Sequence, residues 1–285
     1  MSRRRGQRRP PPSRKTRRQL LAMRHAGRIL ARAVEAIREA AAPGVTALEL
    51  DQLAEDLIRS YGARPSFKGL YNYPATICVA PNDVVVHSIP TAAIVLREGD
   101  IIGVDLGAQY DGMHADVALT IAVGEITEQA QRLLAVTQAA LEAGIAQACV
   151  GHTVQDIAAA VEQVVRDAGC SAVRVLSGHG IGAQVHEAPS VPNFVDRAMF
   201  SDYDTKLLSG MTLAIEPMVN EGTAEVKLDP DGWTYRTADG KLSAHFEHTV
   251  QITRGEPRLL TLGGEQPEGD GAEEGTTPTP ADQGE

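Results

Sequence analysis

The sequence predicts an α+β fold with an internal duplication, and two observations lead to this prediction. The elements inferred from hydrophobic periodicity and turn residues follow the order helix, helix, strands, hairpin, helix, helix, strands, which is typical of the α+β class. A spacing of glycines and acidic residues also occurs twice along the chain. We therefore expect one domain composed of two related halves.

Periodicity and capping residues give the position of each element. A helix is predicted over residues 20–42, and a capping box formed by Thr46 and Glu49 begins a second helix that ends near residue 61. The remaining predicted elements are strands near Ile77 and at 84–86, helices that begin after Thr127 and Thr153, and strands near 173–176 and 213–215.

The first half contains a predicted β-hairpin. An apolar run that includes Asp105 is typical of a buried strand, and the Asp-Gly dipeptide at 111–112 is a strong signal for a tight hairpin turn. If that dipeptide forms the centre of the turn, Asp105 faces Ala118 and Asp116 faces Gly107. The alternation of strand side chains then puts one set of residues on the same face: Asp105, Gly107, His114, Asp116 and Ala118.

Two aspartates on one face of this hairpin indicate a metal site. As diagonal neighbours, Asp105 and Asp116 would be roughly 7–8 Å apart at Cα. Carboxylates this close inside a protein repel each other and resist ionisation, and a bound cation removes both problems. The alternative is a solvated hairpin face with ordinary surface aspartates.

The second half repeats the spacing of the first. In each half, an acid follows a glycine by six positions, and a second acid precedes a glycine by eight. The pairs are Gly99–Asp105 and Asp116–Gly124 in the first half, and Gly210–Glu216 and Glu247–Gly255 in the second. A histidine two residues before the second acid recurs as His114 and His245. Four converging acids would be destabilising without cations, so the repeat predicts a dinuclear carboxylate site.

Charge is distributed unevenly along the 285 residues, whose net charge is −10. Residues 1–18 contain nine Arg or Lys and no acid, whereas residues 263–285 contain seven Asp or Glu and no base. We expect a disordered basic arm at 1–19, a folded domain at 20–262 and a disordered acidic tail at 263–285. The acidic domain argues against DNA binding, while the arm could contact RNA or remain a solvated tail.

Cysteine usage and hydropathy favour the cytoplasm. Cys78, Cys149 and Cys170 are far apart and form no CxxC pair, as is usual in a reducing compartment. No stretch approaches the roughly 20 apolar residues of a membrane span, and the basic arm is not followed by the apolar core of a secretory signal.

Three histidines are candidates for the same site. His179 lies between glycines in SGHGIG, His186 follows in QVHEAP, and His87 ends an apolar strand in VVVHSIP. A lone histidine is more often a satisfied polar residue than a ligand, but clustered carboxylates change that balance. His248 is adjacent to Glu247 and should point to the opposite strand face, where it would be structural.

At these residues the sequence resembles the methionine aminopeptidases of the bacterial type I form. The matching blocks occur in order over residues 20–262: NDVVVHSIP, GDIIGVDLG, DGMHADVALT, SGHGIGAQVHEAP, GMTLAIEPMV, DGWTYRT and LSAHFEHTVQIT. The resemblance implies the pseudo-two-fold duplicated pita-bread fold in a single catalytic domain. It also implies hydrolytic removal of N-terminal methionine, preferably before a small second residue.

The resemblance implies a role for each site residue. The five metal ligands would be Asp105, Asp116, His179, Glu216 and Glu247, with Asp116 and Glu247 bridging two divalent ions. His87 and His186 would contact the substrate and stabilise the tetrahedral intermediate, and Glu216 would accept and return a proton. Oxygen and nitrogen ligands admit Co, Mn, Fe(II) or Zn and do not identify the metal.

The resemblance also implies a pocket for the methionine side chain. It would be formed by Tyr73, Cys78 and Trp233, with neighbours Phe67, Leu70 and Val185. Ordinary core packing is the alternative for all of them. Departures from the usual family pattern, which could reshape the pocket or alter metal preference, occur at Leu70, Ser88, Ala115, Ala183, Val185 and His245.

Three alternatives to this function remain open. A proline-specific dipeptidase or aminopeptidase of the same fold would accept X-Pro peptides, although the chain before the catalytic half is short for that group. A catalytically inactive relative serving as a binding module would lack a metal ligand, and all five are present. A ribosome-associated factor acting through the basic arm is compatible with an enzyme whose substrates are nascent N-termini. We expect a monomer.

Overall fold

The computed structural model describes residues 12–196 and 205–263 of the chain. The helices in this part of the chain are α1 (Arg17–Ala40), α2 (Ala47–Ser60), α3 (Glu128–Ala146) and α4 (Val154–Asp167). The strands are β1 (Arg64–Pro65), β2 (Ile77–Pro81), β3 (Val84–Val86), β4 (Ile101–Tyr110), β5 (Met113–Ala122), β6 (Ser171–Ala172), β7 (Gly178–Gly180), β8 (Glu187–Val191), β9 (Thr212–Ile215), β10 (Met218–Asn220), β11 (Val226–Leu228), β12 (Tyr235–Thr237), β13 (Ser243–His245), β14 (Glu247–Gln251) and β15 (Arg258–Leu259).

Threonine caps determine where the helices begin. Thr46 and Glu49 form the predicted capping box before α2, and Thr127 and Thr153 precede α3 and α4 as expected. The hydroxyls of Thr46 and Thr127 accept from backbone N–H groups that have no partner within the helix, and at α4 the carboxylate of Asp156 accepts from the N–H of Thr153.

Helix α1 begins three residues before its predicted start at residue 20. Thr16 forms a capping box with Gln19, so α1 begins at Arg17. Before it, Lys15 donates from its backbone N–H to the carbonyl of Gly210 at 2.7 Å, which ties this segment to the second half of the domain. The remainder of the basic arm (1–11) and nearly all of the acidic tail (264–285) lie outside the described residues.

The central sheet contains nine strands of the described chain. Its main path runs β1-β4-β5-β14-β9-β7-β8, with β2 paired to β4 and β15 paired to β14. All these pairs are antiparallel. The two halves of the chain therefore meet where β5 pairs with β14, at the middle of the sheet.

The predicted hairpin is confirmed residue by residue. In the β4–β5 ladder, Asp105 pairs with Ala118 and Gly107 pairs with Asp116. Asp111 and Gly112 connect the strands with φ values of 45° and 76°, as a type I′ turn requires. A two-residue turn leaves no freedom in the register, which is why local sequence was sufficient to predict it.

The second unit repeats the first with a shifted register. Gly99 and Gly210 adopt the same left-handed conformation, with φ values of 89° and 88°, before β4 and β9 respectively. In the second half, Ile215 pairs with His248 and Met218 pairs with His245, which puts Glu216 opposite Glu247. The strands of this unit are joined through β11 and β12 rather than by a tight turn, so long-range packing sets their register.

Each half buries one side of the sheet under a pair of helices. Helices α1 and α2 cover β4 and β5 through a core that includes Leu30 and Val104. Helices α3 and α4 pack beside the second half, where Ile157 contacts the core of Leu213 and Val250. Because strand side chains alternate, residues such as Asp105 point to the face that these helices leave open.

The strand predicted at 173–176 is wrong. Strand β6 ends at Ala172, and the chain then bends. Val173 is buried against Val85 and Met218, whereas Val175 is 59% exposed. The apolar residues of this segment therefore do not share one buried strand face. No helix within the described ranges is both long enough and apolar enough to cross a membrane.

Candidate metal centre

Neighbouring strands bring all the predicted metal ligands to the open face of the central sheet. In the spatial order β4, β5, β14, β9 and β7, the candidates are Asp105, Asp116, Glu247, Glu216 (directly after β9) and His179. Ala118 pairs with Asp105 on one side and with Glu247 on the other. Between β9 and β7, Ala214 pairs with His179. The sheet order therefore joins ligands that are up to 142 positions apart, from 105 to 247.

The distances within this group suit metal coordination. One ligand atom from each of Asp116, His179 and Glu247 lies within 4.8 Å of the other two. Glu216 Oε1 lies 3.3 Å from His179 Nε2. Asp116 and Glu247 are almost fully buried, which excludes the alternative of a solvated hairpin face.

The imidazole of His179 is oriented with Nε2 toward the carboxylates. Its Nδ1 lies 2.9 Å from the carbonyl oxygen of Gly180, and because a carbonyl only accepts, this nitrogen donates. The Nε2 lone pair is then available to a cation, as is usual for metal-binding histidines. Burial, with the nearby charge of His186, lowers the pKa of His179 to about 3, which keeps the ring neutral.

Glycines beside His179 are required by close packing. A Cβ at Gly178 would lie 2.4 Å from the carbonyl oxygen of Ala214, and one at Gly180 would lie 2.2 Å from that of Ala188. Strand β7 can therefore insert beside β9 only without these side chains. The close approach of neighbouring backbones explains the glycines that flank His179.

Burial and mutual repulsion raise the pKa values of the four acids. Burial raises the pKa of Asp105 to about 7. Burial also raises the pKa values of Asp116, Glu216 and Glu247 well above their usual range, and neighbouring carboxylates raise them further. Asp105 Oδ1 and Glu247 Oε1 are buried and lack a hydrogen-bond partner within the described chain. These orphaned oxygens and the His179 lone pair are the donor set that a divalent cation needs, so the residues fit a metal.

The two predicted substrate histidines lie at the edge of this group. The ring of His186 is 4.4 Å from that of His179 in an edge-to-face arrangement, and the residue is exposed. His87 follows β3 with φ of 63°, a strained conformation of the kind that occurs at functional sites. Burial first, and then His186, lowers the pKa of His87 to about 4.

The predicted pocket residues form one cluster. Phe67, Tyr73, Cys78 and Val185 are buried together, and Leu70 and Trp233 pack against them. The rings of Tyr73 and Trp233 are 5.0 Å apart and edge-to-face. Cys78 pairs with Asp105 across β2 and β4, so the cluster adjoins the carboxylates. This closeness favours a pocket over unrelated core packing.

His248 and His245 lie on either side of Glu247 in sequence but have different surroundings. His248 points away from the carboxylates, as expected, because its Nδ1 is 2.8 Å from the hydroxyl of Thr261. His245, one of the departures from the family pattern, is 3% exposed, and its Nε2 lies 3.8 Å from Glu216 Oε2. It is therefore beside the acidic group rather than elsewhere in the core.

Supporting residues were missed by sequence reasoning. The hydroxyl of Thr249 accepts from the N–H of Asp116 and donates to its carbonyl, both at 2.8 Å. Asn193 donates to the carbonyl of Glu216 at 3.0 Å. Buried Asp51 accepts from the N–H groups of Thr76 and Ile77, which begins β2. No sequence signal could have identified these contacts, because the partners are distant along the chain.

Sequence comparisons relate the chain to known peptidases. The sequence pattern of metallopeptidase family M24 matches residues 21–254. A methionine aminopeptidase from Clostridium perfringens is 46% identical over 240 residues, which cover 84% of this chain and 94% of that protein. Methionine aminopeptidase 1 from Mycobacterium tuberculosis is 45% identical over 251 residues, which cover 86% of this chain and 93% of that protein.

Solved structures confirm the predicted fold. A methionine aminopeptidase from Thermotoga maritima matches with a TM-score of 0.84 at 37% identity, and the match covers 88% of this chain and 99% of that one. A prolidase from Pyrococcus furiosus matches with a TM-score of 0.70 at 22% identity, over 88% of this chain and 66% of that one. At this lower identity the likeness shows the shared fold alone.

Proposed function

The chain belongs to metallopeptidase family M24, and from this membership we propose that it removes the N-terminal methionine from nascent proteins and peptides. Its preferred substrates have a small second residue. The observation that carries the proposal is the buried group of four carboxylates and one imidazole on neighbouring strands, next to an apolar pocket. Binding two divalent ions is the chemical role that this group fits.

The ligand roles proposed here are those that the family resemblance implies. Asp116 and Glu247 lie at the middle of the sheet, where the halves meet, and both would help to hold each of two ions. Asp105 would add a ligand for one ion, and His179 and Glu216 would add ligands for the other. Divalent ions held here would supply Lewis acidity that activates water near neutral pH. Co, Mn, Fe(II) and Zn all suit these ligands.

The remaining residues bind the substrate and transfer protons. Glu216 accepts the proton of the attacking water and returns it to the amine of the leaving peptide. His186, exposed beside His179, donates a hydrogen bond to the oxyanion that develops on the first carbonyl. His87 holds the substrate from the end of β3. The pocket of Tyr73, Cys78 and Trp233 receives the methionine side chain, for which aromatic and sulfur contacts are favourable.

Location and partners are part of the same proposal. The protein acts in the cytoplasm as a monomer, where nascent N-termini appear, and its basic arm makes transient contact with the ribosome. The support is the charge of the arm, since residues 1–11 carry five arginines and no acid. Deleting residues 2–11 should weaken ribosome binding and its salt dependence without changing peptide hydrolysis. Unchanged ribosome binding by the deletion variant would reject this contact.

The function is tested with two peptides and metal-stripped protein. We expect release of methionine from Met-Ala-Ser but not from Met-Lys-Ser after Mn, Co, Fe(II) or Zn is added back. Glu216→Gln should abolish release while the protein remains folded. Absence of release with every metal, by folded protein that binds two ions, would refute the proposal. Cleavage of an Ala-Pro dipeptide instead would indicate a proline-specific relative.

A further inference from the structure

His245 presents a buried imidazole nitrogen to the carboxylate of Glu216. The residue is 3% exposed, and its Nε2 has no hydrogen-bond partner in the described part of the chain. Glu216 Oε2 lies 3.8 Å from this nitrogen. Buried polar atoms are nearly always paired in native proteins, so an unpaired nitrogen aimed at a carboxylate requires an explanation.

The backbone of His245 is held from two sides. On β10, Met218 pairs with it across the sheet. On β5, the hydroxyl of Thr120 accepts from the N–H of His245 at 2.9 Å and donates to its carbonyl at 3.0 Å. The position of this imidazole relative to Glu216 is therefore determined by strand pairing and not by a mobile loop.

Glu216 lies between two imidazoles, and only one of them can donate to it when both rings are neutral. His179 Nε2 is 3.3 Å from Glu216 Oε1, but the proton of that ring is on Nδ1, which donates to the carbonyl of Gly180. His245 Nε2 faces the other oxygen, Oε2. If Nε2 of His245 carries the proton, a small rotation of the Glu216 side chain completes a hydrogen bond.

The equivalent histidine of the first half does not have this relationship. His114 stands two residues before Asp116, as His245 stands two before Glu247. The ring of His114 is engaged by Ser66 at 2.8 Å through Nδ1 and by Gln109 at 3.1 Å through Nε2. The recurring histidine of the second half therefore differs from that of the first in having an unpaired ring nitrogen beside a predicted metal ligand.

We propose that His245 is a positioning residue for Glu216, whose Oε2 accepts a hydrogen bond from His245 Nε2–H so that Oε1 stays directed at the metal centre beside His179. This inference rests on the proposed function for the role of Glu216. It gives a side chain of a separate three-stranded sheet (β13-β10-β6) a role in the metal centre on the central sheet.

The proposal is tested by two substitutions that differ in hydrogen bonding. His245→Gln retains an N–H donor at a similar reach, whereas His245→Met retains the length of the side chain without a donor. Metal binding is measured by calorimetry with Co²⁺ alone and by the visible spectrum of the Co²⁺ protein. Hydrolysis of Met-Ala-Ser gives kcat and KM separately.

We expect His245→Met to lose about 10–100-fold in the affinity for one Co²⁺ ion or in kcat, with KM little changed and the Co²⁺ spectrum altered. His245→Gln should retain most of both. Wild-type behaviour of His245→Met would overturn the proposal, and equal impairment of both variants would overturn donation as its basis.

A second pair of variants covers the case in which His245→Met does not fold. Thr120→Val removes the hydroxyl that holds the His245 backbone, and Thr120→Ser retains it. A loss of Co²⁺ affinity in the valine variant only supports the proposal, and equal affinity in both contradicts it. Co²⁺ binding is measured independently of peptide cleavage. If the proposed function is wrong, the wild type would bind Co²⁺ and cleave no peptide, and the effect of each variant on Co²⁺ affinity would still test the role of His245.

Discussion

Glu216 and Glu247 lie opposite each other in an antiparallel pairing, although 31 positions separate them along the chain. Like charges directly opposite each other in a sheet are destabilising. Their side chains are nevertheless buried together with Asp105 and Asp116, whose charges raise the pKa of Glu247 in addition to the effect of its burial. The fold therefore maintains a repulsive arrangement that a divalent cation would make favourable.

This relationship predicts opposite effects of Glu247→Gln in the absence and presence of metal. Without metal, the variant should be more stable than wild type by about 1–3 kcal/mol near pH 8, because a buried charge is removed. With Mn²⁺ it should gain less stability than wild type, because a ligand is lost. Urea unfolding with chelator and with Mn²⁺ measures both effects.

Glu256→Gln is the matched control for that experiment. Glu256 is exposed and is not one of the predicted ligands, so its replacement should change the stability appreciably neither with nor without metal. Equal destabilisation of Glu247→Gln with and without metal would contradict the repulsion that we infer.

The raised pKa of Asp105 predicts a pH dependence of the metal-free protein. Its pKa is about 7 in the fold and about 4 in an unfolded chain. Between these values the folded state binds more protons, so the contribution of this group to stability is complete below about pH 4 and is lost as the pH rises through about 7.

Asp105→Asn isolates this contribution from that of the histidines. The stability of the wild type relative to Asp105→Asn, measured by urea unfolding in chelator, should fall steadily from pH 4 to pH 8. A difference that is constant over this range would show that Asp105 does not bind a proton on folding. Saturating Mn²⁺ should reverse the trend, since metal ions bind the deprotonated acids.

The ion pair of Lys15 and Glu187 predicts that the N-terminal segment stabilises the domain. Their charged atoms are 2.7 Å apart, and the two side chains are 4% and 15% exposed. Ser13 donates a further hydrogen bond to Glu187 at 2.6 Å. Lys15→Met should cost about 3 kcal/mol, because a partly buried carboxylate would lose its cation.

Arg18→Met provides the comparison for this measurement. Arg18 pairs with Asp111 at 3.0 Å, but the two side chains are 84% and 50% exposed, so the change should cost at most about 1 kcal/mol. Thermal and urea unfolding of both variants test the difference. Similar costs for the two substitutions would show that burial of the Lys15 pair is not important.

The hydrogen bonds from the Thr249 hydroxyl to the backbone of Asp116 predict that this hydroxyl holds Asp116 in position. Its hydroxyl replaces a ladder hydrogen bond at both the N–H and the carbonyl of Asp116. Thr249→Val keeps the shape but removes both bonds, and it should reduce stability by about 1–3 kcal/mol and weaken Mn²⁺ binding. Thr249→Ser should restore most of the loss, and if it does not, the hydroxyl is not the cause.

Local sequence was sufficient for the parts of the site that are encoded by short segments. The Asp-Gly turn set the register of β4 and β5, so the facing of Asp105 and Ala118 could be predicted and was confirmed. The repeated glycines at 99 and 210 indicated two related strands, and both glycines adopt the same left-handed conformation before their strands. Tight turns and left-handed glycines leave few alternatives, and this is why these predictions hold.

Other features could not be predicted because their partners are distant along the chain. The segment before α1 was expected to be disordered, yet Lys15 is buried against Glu187, 172 positions away. Nothing in the basic composition of the arm distinguishes that lysine from its neighbours. The same limitation applies to the threonines that hold Asp116 and His245.

The sequence by itself determined the α+β duplication, the hairpin register and the identity of the acids and histidines that could bind metal. The tertiary structure alone decided how β14 pairs with β5, which of the recurring histidines faces an acid, and how deeply the carboxylates are buried. The physical reason is that residue type and local backbone geometry are encoded within a few positions, whereas desolvation and charge repulsion arise only when distant strands pack together.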